Sequence, residues 1–138
     1  MKNVFEIIAV ALIGYIGSKA EKNNSLIREL QVAYRVYRID SINTWYLIYA
    51  RKGDSLYKIV SKKIEIEGCH KIEVGNHYDF HLHSRIYGYT IAGKKILPQN
   101  TLLVNCFSFD DSTNICLERD SINDLHYADN IKGLCFIE

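Results

Sequence analysis

The segment VAYRVYRIDSINTWYLIYARKGDSLYKIVSKK (residues 32–63) decides the fold. Three runs in it, at 32–39, 44–51 and 56–63, are rich in Val, Ile, Tyr and Trp. These residue types favour the pleated, half-buried surface of a sheet. The polar clusters DSIN and KGDS separate the runs and are typical of turns. Short strands joined by short polar turns predict an antiparallel meander.

The rest of the chain continues the pattern. Further strand-like runs lie at 64–74, 77–85, 85–96, 101–109, 114–120 and 133–138. The segment SINDLHYA (121–128) begins with residues typical of a helix cap and predicts one short C-terminal helix. The fold class is therefore mainly β, a small antiparallel barrel or sandwich. A barrel is favoured because closing a sheet removes its exposed edges.

One stretch points to a particular kind of barrel. VGNHYDFHL (74–82) reads as a strand that enters from a glycine bend. In this it resembles a strand of the small five-stranded barrels that bind oligonucleotides or oligosaccharides. The resemblance is confined to these residues and implies an OB-like barrel as the favoured fold.

Length and charge suit a single β-rich domain. The chain has 138 residues, 48% of them hydrophobic and 24% charged, and its net charge of +1 indicates no polyanion partner. Residues 28–63 carry a net charge of +5 and residues 94–138 one of −3. The surface is therefore either polarised or self-compensating, as mixed surface charge usually is. We predict a leader at 1–20, a linker or short helix at 21–31 and one domain at 32–138.

The leader MKNVFEIIAVALIGYIGSKA has the three parts of a secretory signal. Lys2 supplies a basic start, residues 4–17 an apolar run, and Ser18 and Ala20 a small-residue cleavage site. The run is shorter than the ~20 residues that span a bilayer comfortably. We expect a signal peptide, or a membrane anchor through residues 4–17, and export to the periplasm, membrane surface or medium. The alternative is a cytoplasmic protein with a buried N-terminal apolar helix, which the charge of Glu6 favours.

Four cysteines without a CxxC pair argue against a zinc knuckle or a thioredoxin-like site. Cys106 and Cys116 flank the turn-like DDSTN, and pairing the two flanks about Asp111 places them opposite each other, within disulfide reach. Cys69 and Cys135 then pair by elimination. The alternative is four buried free thiols.

Histidines cluster in HYDFHLH (77–83). If this is a strand, its polar side chains share one face: His77, Asp79, His81 and His83. The intervening aromatic and leucine side chains form the other face, which we expect to pack on the core. His-x-His on a strand is a zinc-ligand arrangement that a carboxylate or third His completes. The exposed face is therefore either a zinc site or the polar side of a half-buried strand.

The meander 32–63 is both aromatic and basic. Its candidate ligand-binding residues are Tyr34, Tyr37, Arg38, Trp45, Tyr49 and Arg51. Aromatic rings stack on bases or sugars, and cations track phosphate. The alternative is a core of Tyr and Trp with solvated Arg, because each strand has aromatic residues on both faces.

The sequence contains no phosphate-binding glycine loop, GxSxG or HExxH motif, so we predict no enzymatic activity and no cofactor other than zinc. The leading prediction is an exported or membrane-anchored β domain that binds a protein partner or glycan of the cell envelope. One alternative is an OB-like barrel that binds single-stranded nucleic acid or oligosaccharide through residues 32–63. A zinc-binding protein that uses His81 and His83 is the other. Export disfavours nucleic acid, which exported proteins rarely meet.

Overall fold

A computed structural model describes residues 21–28, 32–86, 90–91, 94–95 and 105–138. Contacts divide the chain into two units, 1–32 and 33–138. In the first unit, residues 21–28 form an exposed helix. The predicted leader at 1–20 lies outside the described residues. No helix among those that are described has the length and apolar character needed to span a bilayer.

The second unit is mainly β, and strands make up about half of the described residues. The strands are β1 (Tyr34–Ile42), β2 (Trp45–Lys52), β3 (Ser55–Lys62), β4 (His70–Lys71), β5 (His77–Tyr78), β6 (Leu82–Ser84), β7 (Thr90–Ile91), β8 (Lys94–Lys95), β9 (Cys106–Asp110), β10 (Thr113–Cys116), β11 (His126–Ala128), β12 (Ile131–Lys132) and β13 (Cys135–Phe136). They form a six-stranded sheet and three small sheets.

The predicted antiparallel meander is confirmed. β1 pairs with β2, and β2 pairs with β3, along nearly their whole lengths. Two-residue turns join the strands and begin at Asn43 and Gly53, whose φ angles are 51° and 59°. Gly and Asn adopt positive φ more readily than other residues, which explains these turns. A bulge in β1 between Val36 and Arg38 interrupts the register at Tyr37.

The six-stranded sheet curls into a half-barrel. Its strand order is β5-β1-β2-β3-β11-β6. The two strands at its ends, β5 and β6, are separated along the chain only by residues 79–81. Both edges of the sheet therefore belong to one continuous segment, 77–84. The β3–β11 pair is parallel, through His126 and Ile59, which departs from the all-antiparallel prediction.

The predicted helix at 121–128 is wrong. This segment contains an isolated bridge and then strand β11. The Asp124 carboxylate accepts hydrogen bonds from the Ser84 hydroxyl and, at 3.2 Å, from the Ile86 N–H. Leu125 is fully buried. The Asp124 carboxylate, which a helix cap would have used, thus accepts hydrogen bonds from residues distant in sequence. These contacts override the local preference for a helix.

The sheet is buried on both faces. The inner cluster consists of Val36, Ile48, Ala50, Ile59, Ile72, Tyr78, Phe80 and Ile131. The outer cluster consists of Leu47, Tyr49, Val60, Ile86, Ile115, Leu117, Ile122 and Leu125. Successive residues of β2 alternate between the two clusters, so its continuous apolar run is buried throughout. Residues 105–125, here called the covering segment, pack on the outer face.

Both predicted disulfides are confirmed. Cys106 and Cys116 face each other across the β9–β10 hairpin, and Cys69 is joined to Cys135. The first bond links residues 10 apart in sequence and the second residues 66 apart. Two disulfides are typical of an oxidising, extracellular-type environment.

Candidate functional site

The covering segment occupies the middle of the outer face. Trp45 donates a hydrogen bond from Nε1 to Asp110 over 2.8 Å, and its ring meets the Phe109 ring edge-on at 5.1 Å. That hydrogen bond is the first of several that lower the pKa of Asp110 to about 2. The Lys58 ammonium donates to the Cys116 carbonyl over 2.8 Å. The centres of β2 and β3 are accordingly buried.

An open groove of about 640 Å³ lies beside the covered area, between β1 and the end of the covering segment. We call it the β1 groove. It is lined by Tyr37, Arg38, Asn105, Leu117, Glu118, Arg119, Asp120 and Ser121. Its size is within the usual range for sites that bind small molecules.

Arg38 lines the β1 groove and contacts several neighbouring side chains. Its guanidinium lies 3.0 Å from Asp40 and 3.3 Å from Glu118, and 3.8 Å above the centre of the Tyr49 ring. The hydrogen bond to Tyr49 is the largest of the interactions that raise the pKa of Arg38. A guanidinium fixed on a ring and between two carboxylates loses little further freedom when it binds a ligand.

Tyr37 provides the aromatic surface of the groove. It lies at the β1 bulge, is half-buried, and its ring centroid is 6.0 Å from that of Tyr49. Burial is the main cause that raises the pKa of Tyr37. The phenol is therefore neutral at physiological pH, so its O–H remains a hydrogen-bond donor at the groove.

The opposite wall is built by backbone hydrogen bonds. The N–H groups of Ser121 and Ile122 donate to the Glu118 carbonyl over 2.9 and 2.6 Å, which forms a tight turn. The Arg119 Nε donates to the Asn105 side chain over 3.0 Å. Two guanidinium groups and two carboxylates thus line the groove, because Asp120 adds to Glu118. The groove carries mixed charge and no net excess of either sign.

Of the predicted ligand-binding residues, Tyr37 and Arg38 line the groove. Trp45 is engaged with the covering segment, and Tyr49 is only 2% exposed. Arg51 is exposed on β2. Two of these residues therefore line the groove and two lie on the covered outer face. Arg51 is exposed but does not line the groove.

Tyr34 faces the opposite side of the sheet. Its ring lies 5.1 Å from Tyr57 and 5.9 Å from Phe80, and it packs against the inner cluster. Its phenol is therefore part of the core contacts and not of the β1 groove. The prediction that it binds a ligand has no supporting contact with the groove residues.

The predicted alternation of residues 77–83 is confirmed. Tyr78 and Phe80 are buried, and the polar side chains, His77, Asp79, His81 and His83, are exposed. Among the described residues, no three His, Cys, Asp or Glu side chains come close enough to hold a metal ion.

The polar residues of this stretch have individual partners. The His83 Nε2 lies 2.5 Å from the Asp129 carboxylate, and the His83 ring stacks on Tyr127 at 5.0 Å. The amide of Asn130 links the backbone of His81 with that of Asp79. Zinc binding through these residues stays a prediction without a preformed ligand set.

The wall formed by Asn105 and residues 117–121 was not predicted. Arg38 and Glu118 are 80 residues apart in sequence, and only the fold brings them together. The sequence signal was the charged run ERD (118–120), which ends the strand-like run 114–120 and was interpreted as part of that strand.

Comparison of the sequence with models of known protein families finds no match. Comparisons with curated proteins and with solved structures also find none. A proposal about function must therefore rest on the side chains that line the β1 groove.

Proposed function

We propose that this chain is a non-enzymatic, exported domain that binds a glycan in the β1 groove. The observation that carries the proposal is the aromatic side chain of Tyr37 in an open groove otherwise lined mostly by planar polar groups of both charge signs. A sugar offers C–H faces that stack on a ring and hydroxyl groups that both donate and accept hydrogen bonds. Carboxylates, guanidinium groups and amides match such hydroxyl groups in pairs.

We further propose that the curled sheet is a five-stranded OB-like barrel. The support for this is that β5 and β6 belong to one segment, so that β1, β2, β3, β11 and 77–84 would make a closed ring of five. Such barrels bind oligosaccharides or oligonucleotides on the face of strands 2 and 3 and on the adjacent loops. The covering segment lies in the loop between the last two strands of this ring. It occupies the usual face and lines the groove that remains.

The charge of the groove favours a glycan over a nucleic acid. Glu118 and Asp120 would repel consecutive phosphates. Trp45 and Tyr49, the largest potential stacking surfaces of the meander, are already engaged by the covering segment or buried. Single-stranded nucleic acid needs several open rings in a positively charged groove.

Export is supported by two independent features. Residues 1–20 have the pattern of a secretory signal, and the two disulfides suit an oxidising compartment. An exported domain meets the glycans of the envelope, which agrees with the proposed ligand. Intact mass of the protein from fractionated cells tests this step: loss of residues 1–20 is expected, and a full-length cytosolic product would contradict it.

Binding to a panel of neutral and acidic oligosaccharides tests the proposed function. Tyr37→Ala is expected to weaken binding at least tenfold, and Tyr37→Phe less, because the ring is kept. Tyr127→Ala is the matched control, since Tyr127 is 50% exposed and does not line the groove. An unfolding midpoint for each variant separates lost binding from lost folding. A wild-type protein that binds no oligosaccharide on the panel contradicts the proposal.

A further inference from the structure

Three basic side chains form a row across neighbouring strands. Arg35 on β1 lies opposite Arg51 on β2 and opposite His77 on β5. All three side chains are exposed. The residues adjacent in sequence, Val36 and Tyr78 among them, point into the inner cluster. Since side chains alternate along a strand, the row projects from the outer face.

The row is unfavourable for folding. Residues directly opposite in an antiparallel pair have Cβ atoms ~5 Å apart, and like charges at that position destabilise the sheet. Within the described part of the chain, no carboxylate forms an ion pair with Arg35, Arg51 or His77. Arg38, on the same strand, has two carboxylate partners. The chain thus compensates one arginine of β1 and leaves the neighbouring basic pair uncompensated.

The row adjoins the β1 groove. Tyr37, which lines the groove, is two residues from Arg35 in β1. Burial chiefly raises the pKa of Tyr37, and Arg51 is one of two arginines whose charge opposes that rise. A ligand that stacks on Tyr37 therefore has the basic row within reach of its end.

We propose that the glycan bound in the β1 groove is acidic, and that the basic row holds its carboxylate or sulfate group. This inference rests on the proposed function. Two guanidinium groups side by side match the planar, bidentate geometry of a carboxylate or the oxygens of a sulfate. Glu118 and Asp120 in the groove confine the negative charge of the ligand to the row. The fitting ligand is an oligosaccharide that is neutral along the groove and carries one acidic group at its end, such as a terminal uronic acid or a sulfated sugar.

The test uses pairs of oligosaccharides that differ only in one acidic group: xylotetraose with one terminal glucuronic acid against its methyl ester, and lactose 6′-sulfate against lactose. Isothermal titration calorimetry measures each with the full-length protein and with R35Q/R51Q. The matched control is K62Q/K132Q, which removes two exposed positive charges outside the row. Both double variants are on the surface and are expected to fold.

The wild-type protein is expected to bind the acidic member of at least one pair about tenfold more tightly than its partner, as one lost charge-assisted hydrogen bond implies. R35Q/R51Q should lose this preference and K62Q/K132Q should keep it. Equal binding within both pairs, or a preference that survives R35Q/R51Q, overturns the inference. Neutral sugars that still bind in either case leave the proposed function standing. Binding of a dT6 oligonucleotide with no binding of any sugar contradicts both.

Discussion

The two faces of the curled sheet are buried in different ways. The inner face is closed by the sheet's own strands and by residues near the C-terminus, and the disulfide at that end joins residues 66 apart. The outer face is covered by a hairpin whose disulfide joins residues only 10 apart. The inner cluster therefore depends on contacts between distant parts of the chain, whereas the cover depends on a local hairpin packed on the outer face. The difference separates the part that holds the fold from the part that shapes the proposed ligand surface.

Removal of the disulfides should give the largest losses in the free energy of unfolding. The two losses compare how much each face of the sheet contributes to stability. From the loop that each bond closes, loss of Cys69–Cys135 is expected to cost about 4 kcal/mol and loss of Cys106–Cys116 about 3 kcal/mol. Serine pairs at each site, compared by urea unfolding, measure this. A larger loss for the hairpin bond would show that the cover, and not the closure of the sheet, limits stability.

Core truncation distinguishes global from local opening. Ile48→Ala in the inner cluster and Ile115→Ala in the outer cluster remove fully or nearly fully buried side chains, at a cost of about 3 kcal/mol each. Hydrogen exchange should show lower protection throughout the sheet for Ile48→Ala. For Ile115→Ala the loss should concentrate in β9 and β10. The same exchange pattern for both variants would remove the distinction between the two faces.

Two glycines with the same backbone angle give a sharper test of the inner closure. Gly53 and Gly133 both have φ of 59°, but a Cβ at Gly133 would lie 2.3 Å from the Ile64 carbonyl, and one at Gly53 meets nothing within 4 Å. Gly53→Ala is expected to cost about 1 kcal/mol from the left-handed backbone alone. Gly133→Ala should cost at least twice as much, measured as a shift in the chemical unfolding midpoint. Equal costs would mean that the chain relaxes freely around Ile64.

Lowering the pH should destabilise the inner face and the outer face of the sheet in separate pH ranges. Burial lowers the pKa of His126, and Asp124, 3.7 Å away, only partly opposes this. The unfolded chain therefore takes up that proton first, so stability is full above about pH 6.5 and falls below it. The pKa of Asp110 is lowered to about 2, so its contribution is lost only as the pH falls below about 4.

Substitution of His126 and of Asp110 assigns each of the two falls in stability to its residue. In thermal unfolding followed from pH 7.5 to 2.5, His126→Phe should flatten the first fall, and Asp110→Asn the second. His126 shares a strand face with Ala128, which packs against the inner cluster, while Asp110 binds Trp45 in the cover. A first fall that persists in His126→Phe would assign it to another group.

Local patterns predicted the parts of the fold that local physics controls. The meander and its turns follow from β-branched and aromatic runs around Asn43 and Gly53, and the alternation at 77–83 follows from strand geometry. The Cys106–Cys116 pair followed from the symmetry of one hairpin. The helix predicted at 121–128 is wrong because Asp124, a residue of the predicted cap, accepts hydrogen bonds from Ser84 and Ile86 instead.

The candidate site was only half predictable. Tyr37 and Arg38 were visible in the sequence because their strand is aromatic and basic. Their partner Glu118 is 80 residues away from Arg38 and comes into contact only through the covering segment. The burial of Tyr49 has the same cause, since nothing near it in sequence indicates that a distant hairpin covers that face.

An amide-resolved NMR titration of the isotope-labelled protein with xylotetraose that carries one terminal glucuronic acid tests the central claim most directly. The account predicts chemical-shift changes confined to the start of β1, to Arg51 and to residues 117–121, with the inner cluster unchanged. Changes centred instead on the His83 and Tyr127 side of the sheet would contradict it, as would a spectrum that does not respond to this acidic sugar or to any other oligosaccharide of the panel.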